Sequence, residues 1–361
     1  FNITVKNADG KTKSIPFEVK TRSGKKPKAI TQNDIMYLIM PDRFANADTS
    51  NDYIAALGDK LDRKNQFARH GGDLKGIASK LDYLNDLGIT TMWINPVIEN
   101  ANRDGSYHGY GFTNFYEVDA RFGSHSDYAN LVTEAHNKGI KTVKDMVLNH
   151  IGIGHSWMKD IPVKKWVRYY GEKPTLTNFK LSAMTDPHAS ESDYNKMQRG
   201  WFVNSLPDLD QTDPLLERYL IQNTLWWIES INLDGIRLDT YPYSEKPFLV
   251  NWHKAIEKEY PNFFIVGEIW INNVPNEAYY LKNATNQDGF KGGLLSTTDF
   301  PLSEAISNAL RTGGLRGGSN LNEVYEVLSQ DFMYANPGNN LIFLDNHDIA
   351  RFMHIVGNDL Q

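Results

Sequence analysis

Thr142-Val143-Lys144-Asp145-Met146-Val147-Leu148-Asn149-His150 decides the fold. Thr142–Leu148 reads as a strand, and its C-terminal end carries an aspartate, an asparagine and a histidine. Working outward, the same kind of run recurs at Ile35–Met40, Thr91–Asn95, Gly235–Leu238, Phe263–Val266, Gly293–Ser296 and Leu341–Leu344. Amphipathic stretches lie between most of them, such as Leu74–Leu87, Tyr128–Asn137, Leu215–Ile231 and Phe248–Lys258. Strands alternating with helices at this spacing mean parallel β-structure with crossover helices. Seven such strands predict an α/β fold of the (β/α)8 TIM-barrel type rather than a doubly wound sheet. Only 13 residues follow Asp348, too few for a helix, an eighth strand and its helix. The expectation is a barrel truncated after strand 7, or one completed in another way.

Two regions break the rhythm. Residues 1–28 hold two short β-type runs, Ile3–Val5 and Ile15–Val19, around the turn-forming Asn7-Ala8-Asp9-Gly10. They read as a hairpin, the remnant of an N-terminal β-sandwich domain, followed by the linker Gly24–Lys28. Between His150 and Leu215 no strand–helix alternation is visible. A structureless loop of that length is improbable in a compact domain. The expected organisation is a barrel over 29–150 and 209–361, with an inserted B subdomain over 151–208 after strand 3.

Composition narrows the function classes. The chain has 361 residues and a formal charge of −6, so no basic excess is available to hold a phosphate backbone, and nucleic acid is not an expected partner. No apolar run approaches the roughly 18 residues of a membrane span. The absence of cysteine removes disulfides, zinc–thiolate sites and a cysteine nucleophile. Aromatics are plentiful, with 8 Trp, 18 Tyr and 17 Phe. They suit a core, and they also suit the flat faces of sugar rings. The chain opens on Phe1 with no charged-then-apolar leader, and reads as a mature or trimmed polypeptide.

In a barrel the chemistry sits just past the C-terminal strand ends. Those ends read Asp145–His150, Gly235-Ile236-Arg237-Leu238-Asp239, Gly267-Glu268-Ile269-Trp270 and Asp345-Asn346-His347-Asp348. Each group alone has a bland reading: a helix cap, a satisfied histidine, a plain ion pair. Their coincidence at four strand ends is the signal. Carboxylates without a Ser/His or Cys/His arrangement point to glycoside cleavage. There one carboxylate meets the anomeric carbon and one carboxylic acid protonates the leaving oxygen.

These four segments, in this order, resemble the α-amylase superfamily, glycoside hydrolase family 13. Leu206-Pro207-Asp208-Leu209-Asp210 falls where the family has a short motif near the end of its B domain, and Tyr107-His108-Gly109-Tyr110 follows the second strand. The resemblance covers about residues 34–361. It implies Asp239 as nucleophile, Glu268 as general acid and then base, and Asp348 as the carboxylate that holds the sugar's 2- and 3-hydroxyls. It implies substrate contacts from Tyr110, stacked on the sugar, and from His150 and His347. Arg237 would keep Asp239 ionised, and Asp145 would organise the site. One position departs: Tyr243 stands where many α-amylases have histidine. Together with Glu268-Ile269-Trp270 this is similar to the cyclomaltodextrinase and neopullulanase group. Trp270 would stack on the leaving-side sugar or simply pack.

The loop Asp42–Asp52 is dense in oxygen donors. Asn46, Asp48, Asn51 and Asp52, closed by Asp73 and the Gly71 carbonyl, could supply the 6–8 oxygens that calcium takes. Composition alone favours a polar loop; the resemblance favours a structural Ca²⁺. A second calcium at Asn149 and Asp208 is disfavoured by Tyr243. Trp157, Trp166 and Trp201 are candidate sugar platforms, at least one of them core. Gly313-Gly314-Leu315-Arg316-Gly317-Gly318 lacks the Lys-Ser/Thr ending of a phosphate loop and reads as a flexible loop.

The expected activity is retaining hydrolysis of α-1,4 bonds in maltooligosaccharides, cyclodextrins or pullulan. The alternatives are transglycosylation by the same residues and glucan binding without turnover. By analogy the location is periplasmic or secreted, and a homodimer is an open alternative.

Overall fold

The computed structural model describes residues 1–19, 21–311 and 321–357. Its centre is a six-stranded, all-parallel sheet in sequence order. The strands are β3 (Met36–Ile39), β4 (Thr91–Ile94), β5 (Lys141–Met146), β6 (Gly235–Leu238), β7 (Phe264–Gly267) and β8 (Ser296–Thr297). This is the curled sheet of a (β/α)8 barrel, with six of its strands in ladder pairing. β4 and β6 are buried along their whole length, as a sheet covered on both faces requires. The expected strand Leu341–Leu344 is reduced to one parallel bridge, Thr298↔Leu341. Among the described residues nothing pairs with its outer edge, and Ile342 and Leu344 are exposed. A parallel strand needs neighbours on both sides to be buried, so this one stays irregular.

The covering helices follow their local signals. α4 (His125–Asn137) starts in a capping box between Ser124 and Asp127. α6 (Pro214–Ile231) has Pro214 in its first turn and the Asp213 carboxylate on the amides of Leu215 and Leu216; it ends where Asn232 turns left-handed at φ 60°. α7 (Lys246–Glu259) buries Phe248, Leu249, Trp252 and Ile256. The expected helix Leu74–Leu87 is broken into α2 (Leu74–Ala78) and α3 (Leu81–Asp86). The hydroxyl of Ser79 donates to the Gly76 carbonyl at the break, a local alternative to continuing the helix.

β5 also carries Lys144 away from the site. Its ammonium is fully buried 4.9 Å from the Trp227 ring of α6 and donates to the Asp145 carbonyl. Burial pushes it down to about 8.

The N-terminal hairpin, β1 (Asn2–Lys6) with β2 (Thr12–Pro16), is exposed throughout. Its linker is tied to the barrel by Arg22 to Glu229 and Glu259, and by the Lys28 amide to Asp234. The segment after β5 leaves the barrel at the bridge His150↔Asp208 and contains α5 (Glu191–Arg199) and short 3₁₀ turns. Trp157, Trp166 and Trp201 are all buried here, with Trp166 bonded to Asp213 and Trp201 to the Arg168 carbonyl. They are core, not sugar platforms. The glycine-rich stretch Gly313–Gly318 lies outside the described residues.

Candidate active site

The strand ends converge on Arg237. Its position in β6 puts it inside the sheet, where it is almost wholly buried. Nη1 lies 2.7 Å from Asp239 Oδ1 and 3.0 Å from Asp145 Oδ1; Nη2 lies 2.5 Å from Glu268 Oε1. One guanidinium therefore grips three carboxylates delivered by β5, β6 and β7. The planar fork fixes their mutual placement, which a lysine could not do.

Asp145 is sealed off. Trp93 Nε1 donates to it at 2.9 Å, and so does the Tyr110 hydroxyl at 2.8 Å. It shapes the floor and has no exposed surface to offer a substrate. Asp239 and Glu268 reach the cavity. The amide of Thr240, at a left-handed φ of 44°, donates to Glu268 Oε2 at 2.8 Å. That conformation costs energy for a β-branched residue, and here it aims an N–H at the Glu268 carboxylate. The Thr240 hydroxyl donates to Asp239 Oδ2.

Burial pushes the Asp239 carboxyl well above the usual range, and the Glu268 and Asp145 carboxylates push the same way; Arg237 pulls it back. The three carboxyls share the single positive charge of Arg237. Asp348 stands across the cavity on the irregular segment, 3.4 Å from His347 Nε2. Burial, then Glu268, raises it to about 6.

Two imidazoles face this cluster in neutral form. Burial pulls His150 down to about 4 and His347 to about 3. His150 lines the cavity, and its ring keeps hydrogen-bonding capacity to offer there. The Tyr110 ring is stacked on His347 at 5.3 Å and on His108 at 5.7 Å. Its hydroxyl also takes a bond from Asn95. The cavity, of about 380 Å³, is closed by Phe202 and Tyr243 on one wall and Trp270 on another. Trp270 lies flat on Phe300 at 5.1 Å and is 46% exposed, so one face is free.

Sequence reading missed Trp93, Asn95, His108, Thr240 and Phe202. Asn95 had a signal, since it ends the second strand. Phe202 had none, because an aromatic in an irregular insertion looks the same in core or cleft.

The expected calcium loop divides. Asn46 Oδ1 and Asn51 Oδ1 are buried without partners. Asp52 Oδ1 sits beside them, 2.5 Å from Asn46 Nδ2, and a Cβ at Gly71 would come within 2.6 Å of it. Asp48 is instead paired with Lys75 at 2.6 Å, and Asp73 caps α2 through the Gly76 amide while accepting from the amides of Ala47 and Asp48. The second candidate pair looks different from its sequence expectation: both side-chain atoms of Asn149 are buried with no hydrogen bond, and Asp208 is buried with Arg168 as its cation at 3.4 Å. Among the described residues no cluster of three acids or histidines could hold a metal.

The catalytic-domain profile of the α-amylases matches residues 38–361, and the chain belongs to that family. It is 31% identical over 88% of its length to a β/α-amylase of Paenibacillus polymyxa, and 27% identical over 91% to a cyclomaltodextrinase of Geobacillus thermopakistaniensis. It spans 24% and 52% of those proteins. Among solved structures it resembles an α-amylase of Geobacillus thermoleovorans in complex with acarbose, with a TM-score of 0.72 and 32% identity, covering 92% of this chain and 65% of that one. The likeness to a cyclomaltodextrinase agrees with the group that Tyr243 and Trp270 suggest. No helix among the described residues is long and apolar enough to cross a membrane.

Proposed function

We propose that this chain is the catalytic part of a retaining hydrolase of α-1,4-glucans: maltooligosaccharides, cyclodextrins or pullulan. The observation that carries the reading is the shared grip of Arg237 on Asp239 and Glu268, at 2.7 and 2.5 Å. It holds both carboxyls on the wall of the same cavity, as a nucleophile and an acid acting on one glycosidic bond require.

Asp239 attacks the anomeric carbon while Glu268 gives its proton to the leaving oxygen. A covalent glycosyl ester forms on Asp239 and the shortened glucan leaves. Glu268 then takes a proton from water, which releases the sugar with its configuration retained. Asp348 and the neutral His150 and His347 meet the hydroxyls of the reacting ring. The free face of Trp270 suits a sugar on the leaving side. When a second glucan rather than water occupies that face, the same ester gives transglycosylation, and this is the second reading.

The test is a proton NMR time course of maltohexaose. New α-anomer signal should appear before mutarotation; first appearance of β-anomer would refute retention.

Calcium is a separate proposal. Asn46, Asn51, Asp52 and the Gly71 carbonyl form the better-supported half of the first loop, and Asn149 with Asp208 forms a second oxygen set. Bound Ca²⁺ would pin these loops and take no part in bond cleavage. Chelation should lower the Tm by several degrees, and micromolar Ca²⁺ should restore it. An unchanged Tm would remove both sites.

A further inference from the structure

The wall made by Phe202 and Tyr243 has a second side. Met184, Met197 and Tyr243 form a small buried cluster, with Leu181, Tyr194 and Phe202 packed on it. Phe202 and Tyr243 face the cavity that holds Asp239. Met184 and Tyr194 face another cavity, of about 410 Å³. Three parts of the chain meet there: the insertion, the first turn of α7, and the loop that follows β7.

Its chemistry is that of a site for a neutral, hydroxyl-rich ligand. Lys246 is its cation, and that charge is already engaged. The ammonium donates to the Met184 carbonyl at 2.8 Å and to the Tyr279 hydroxyl, and it pairs with Asp288 at 3.4 Å. The Tyr279 hydroxyl in turn donates to Asp288 at 2.6 Å. A phosphate would find no uncommitted cation. What remains is the half-buried Tyr194, the exposed acceptor Asp186 and the amide of Gln287; Tyr279 is already taken, its hydroxyl by Lys246 and Asp288 and its ring by Phe290 at 5.0 Å. The Thr185 hydroxyl lies 3.0 Å from Asn276 Oδ1 and links the insertion to the segment after β7.

We propose that this cavity binds a glucosyl unit of a longer α-glucan, separately from the pocket where the bond is cleaved. The proposal rests on the glucan reading above for its ligand class. It predicts a site that long substrates use and short ones do not.

The experiment uses the intact chain, Tyr194→Ala and Asp186→Ala. Each is run on native gels containing soluble starch, and each is assayed on maltotriose and on soluble starch. Both variants should be retarded less than the parent. Their KM for starch should rise roughly fivefold, while kcat/KM for maltotriose stays within about twofold. Unchanged retardation and unchanged starch KM in both variants would overturn the site. So would an equal loss on maltotriose, because the two cavities would then be one. Asp186 is exposed, so its variant keeps the test valid if removing the Tyr194 ring disturbs the wall. If the parent cleaves no glucan yet the variants still lose retardation, the hydrolase reading fails and the binding site stands.

Discussion

Asp239 and Asp348 line the same cavity but are held in opposite ways. Asp239 follows β6, a strand paired on both sides, and it is fixed by Arg237, Thr240 and the Met146 carbonyl that accepts from its amide. Asp348 ends a segment anchored to the sheet by a single bridge at Leu341, with half of its apolar residues in solvent. Preorganised charge costs nothing to rearrange during reaction, so the buried half of the site should supply most of the rate and the irregular half should tune it.

The largest effect should come from breaking the buried half. Asp239→Asn keeps the shape and removes the proposed nucleophile, so kcat should fall roughly 10⁴-fold or more with circular dichroism unchanged. Asp348→Asn removes, on the proposed mechanism, only transition-state contacts to hydroxyls, and a loss of roughly 10²–10³-fold is expected. Equal losses in steady-state assays would mean that the irregular segment is as well organised as the strands.

A smaller effect sharpens the same contrast through pH. In the proposed mechanism Asp239 and Asp348 both act as carboxylates; Asp348 is raised to about 6 from 3.8 and Asp239 is raised in the same direction, so both feed one acid limb. The parent's kcat/KM should therefore fall as pH drops through about 6, by about tenfold per unit. The histidines, at about 4 and 3, are already neutral there and add no limb. An acid limb below pH 4.5 would show Asp348 to be more solvated than the structure has it.

Much of the buried half was legible in sequence. Parallel strands covered on both faces read as short apolar runs, and the groups after them are the ones the barrel collects. The rest depended on partners distant in the chain. Tyr110 is oriented by His347, 237 residues away. The segment at Leu341 could not be told from a buried strand, because its composition is a strand's and only a neighbour decides. In the calcium loop, composition marked six donors, but the packing of Lys75 and the first turn of α2 claimed two of them. Tyr243 argued against a cation at Asn149 and Asp208, yet the structure leaves the Asn149 side chain without a hydrogen bond and gives Asp208 only the Arg168 guanidinium, at 3.4 Å.

Lys144 tests how dry the strand side is. Its pKa drops from 10.5 unfolded to about 8 folded, so its charge opposes folding below pH 8. The cost, on the order of 3 kcal/mol, disappears as pH rises from 8 towards 10.5. Lys144→Met should raise the Tm by several degrees at pH 7, with the gain shrinking at pH 10. A variant no more stable than the parent at pH 7 would mean that water reaches the ammonium.

The most direct comparison of the two halves is between two isoleucines. Ile236 is fully buried in β6, and Ile342 is 57% exposed on the irregular segment. Truncating the first removes packed methylenes and leaves a hole, so Ile236→Ala should cost about 2–5 kcal/mol in denaturant unfolding. Truncating the second removes atoms that water already touches, so Ile342→Ala should cost less than about 0.5 kcal/mol. If the two costs are alike, Ile342 is buried in solution by something that packs against Leu341–Leu344. Asp348 would then be held as firmly as Asp239, and the rate losses of their asparagine variants should converge.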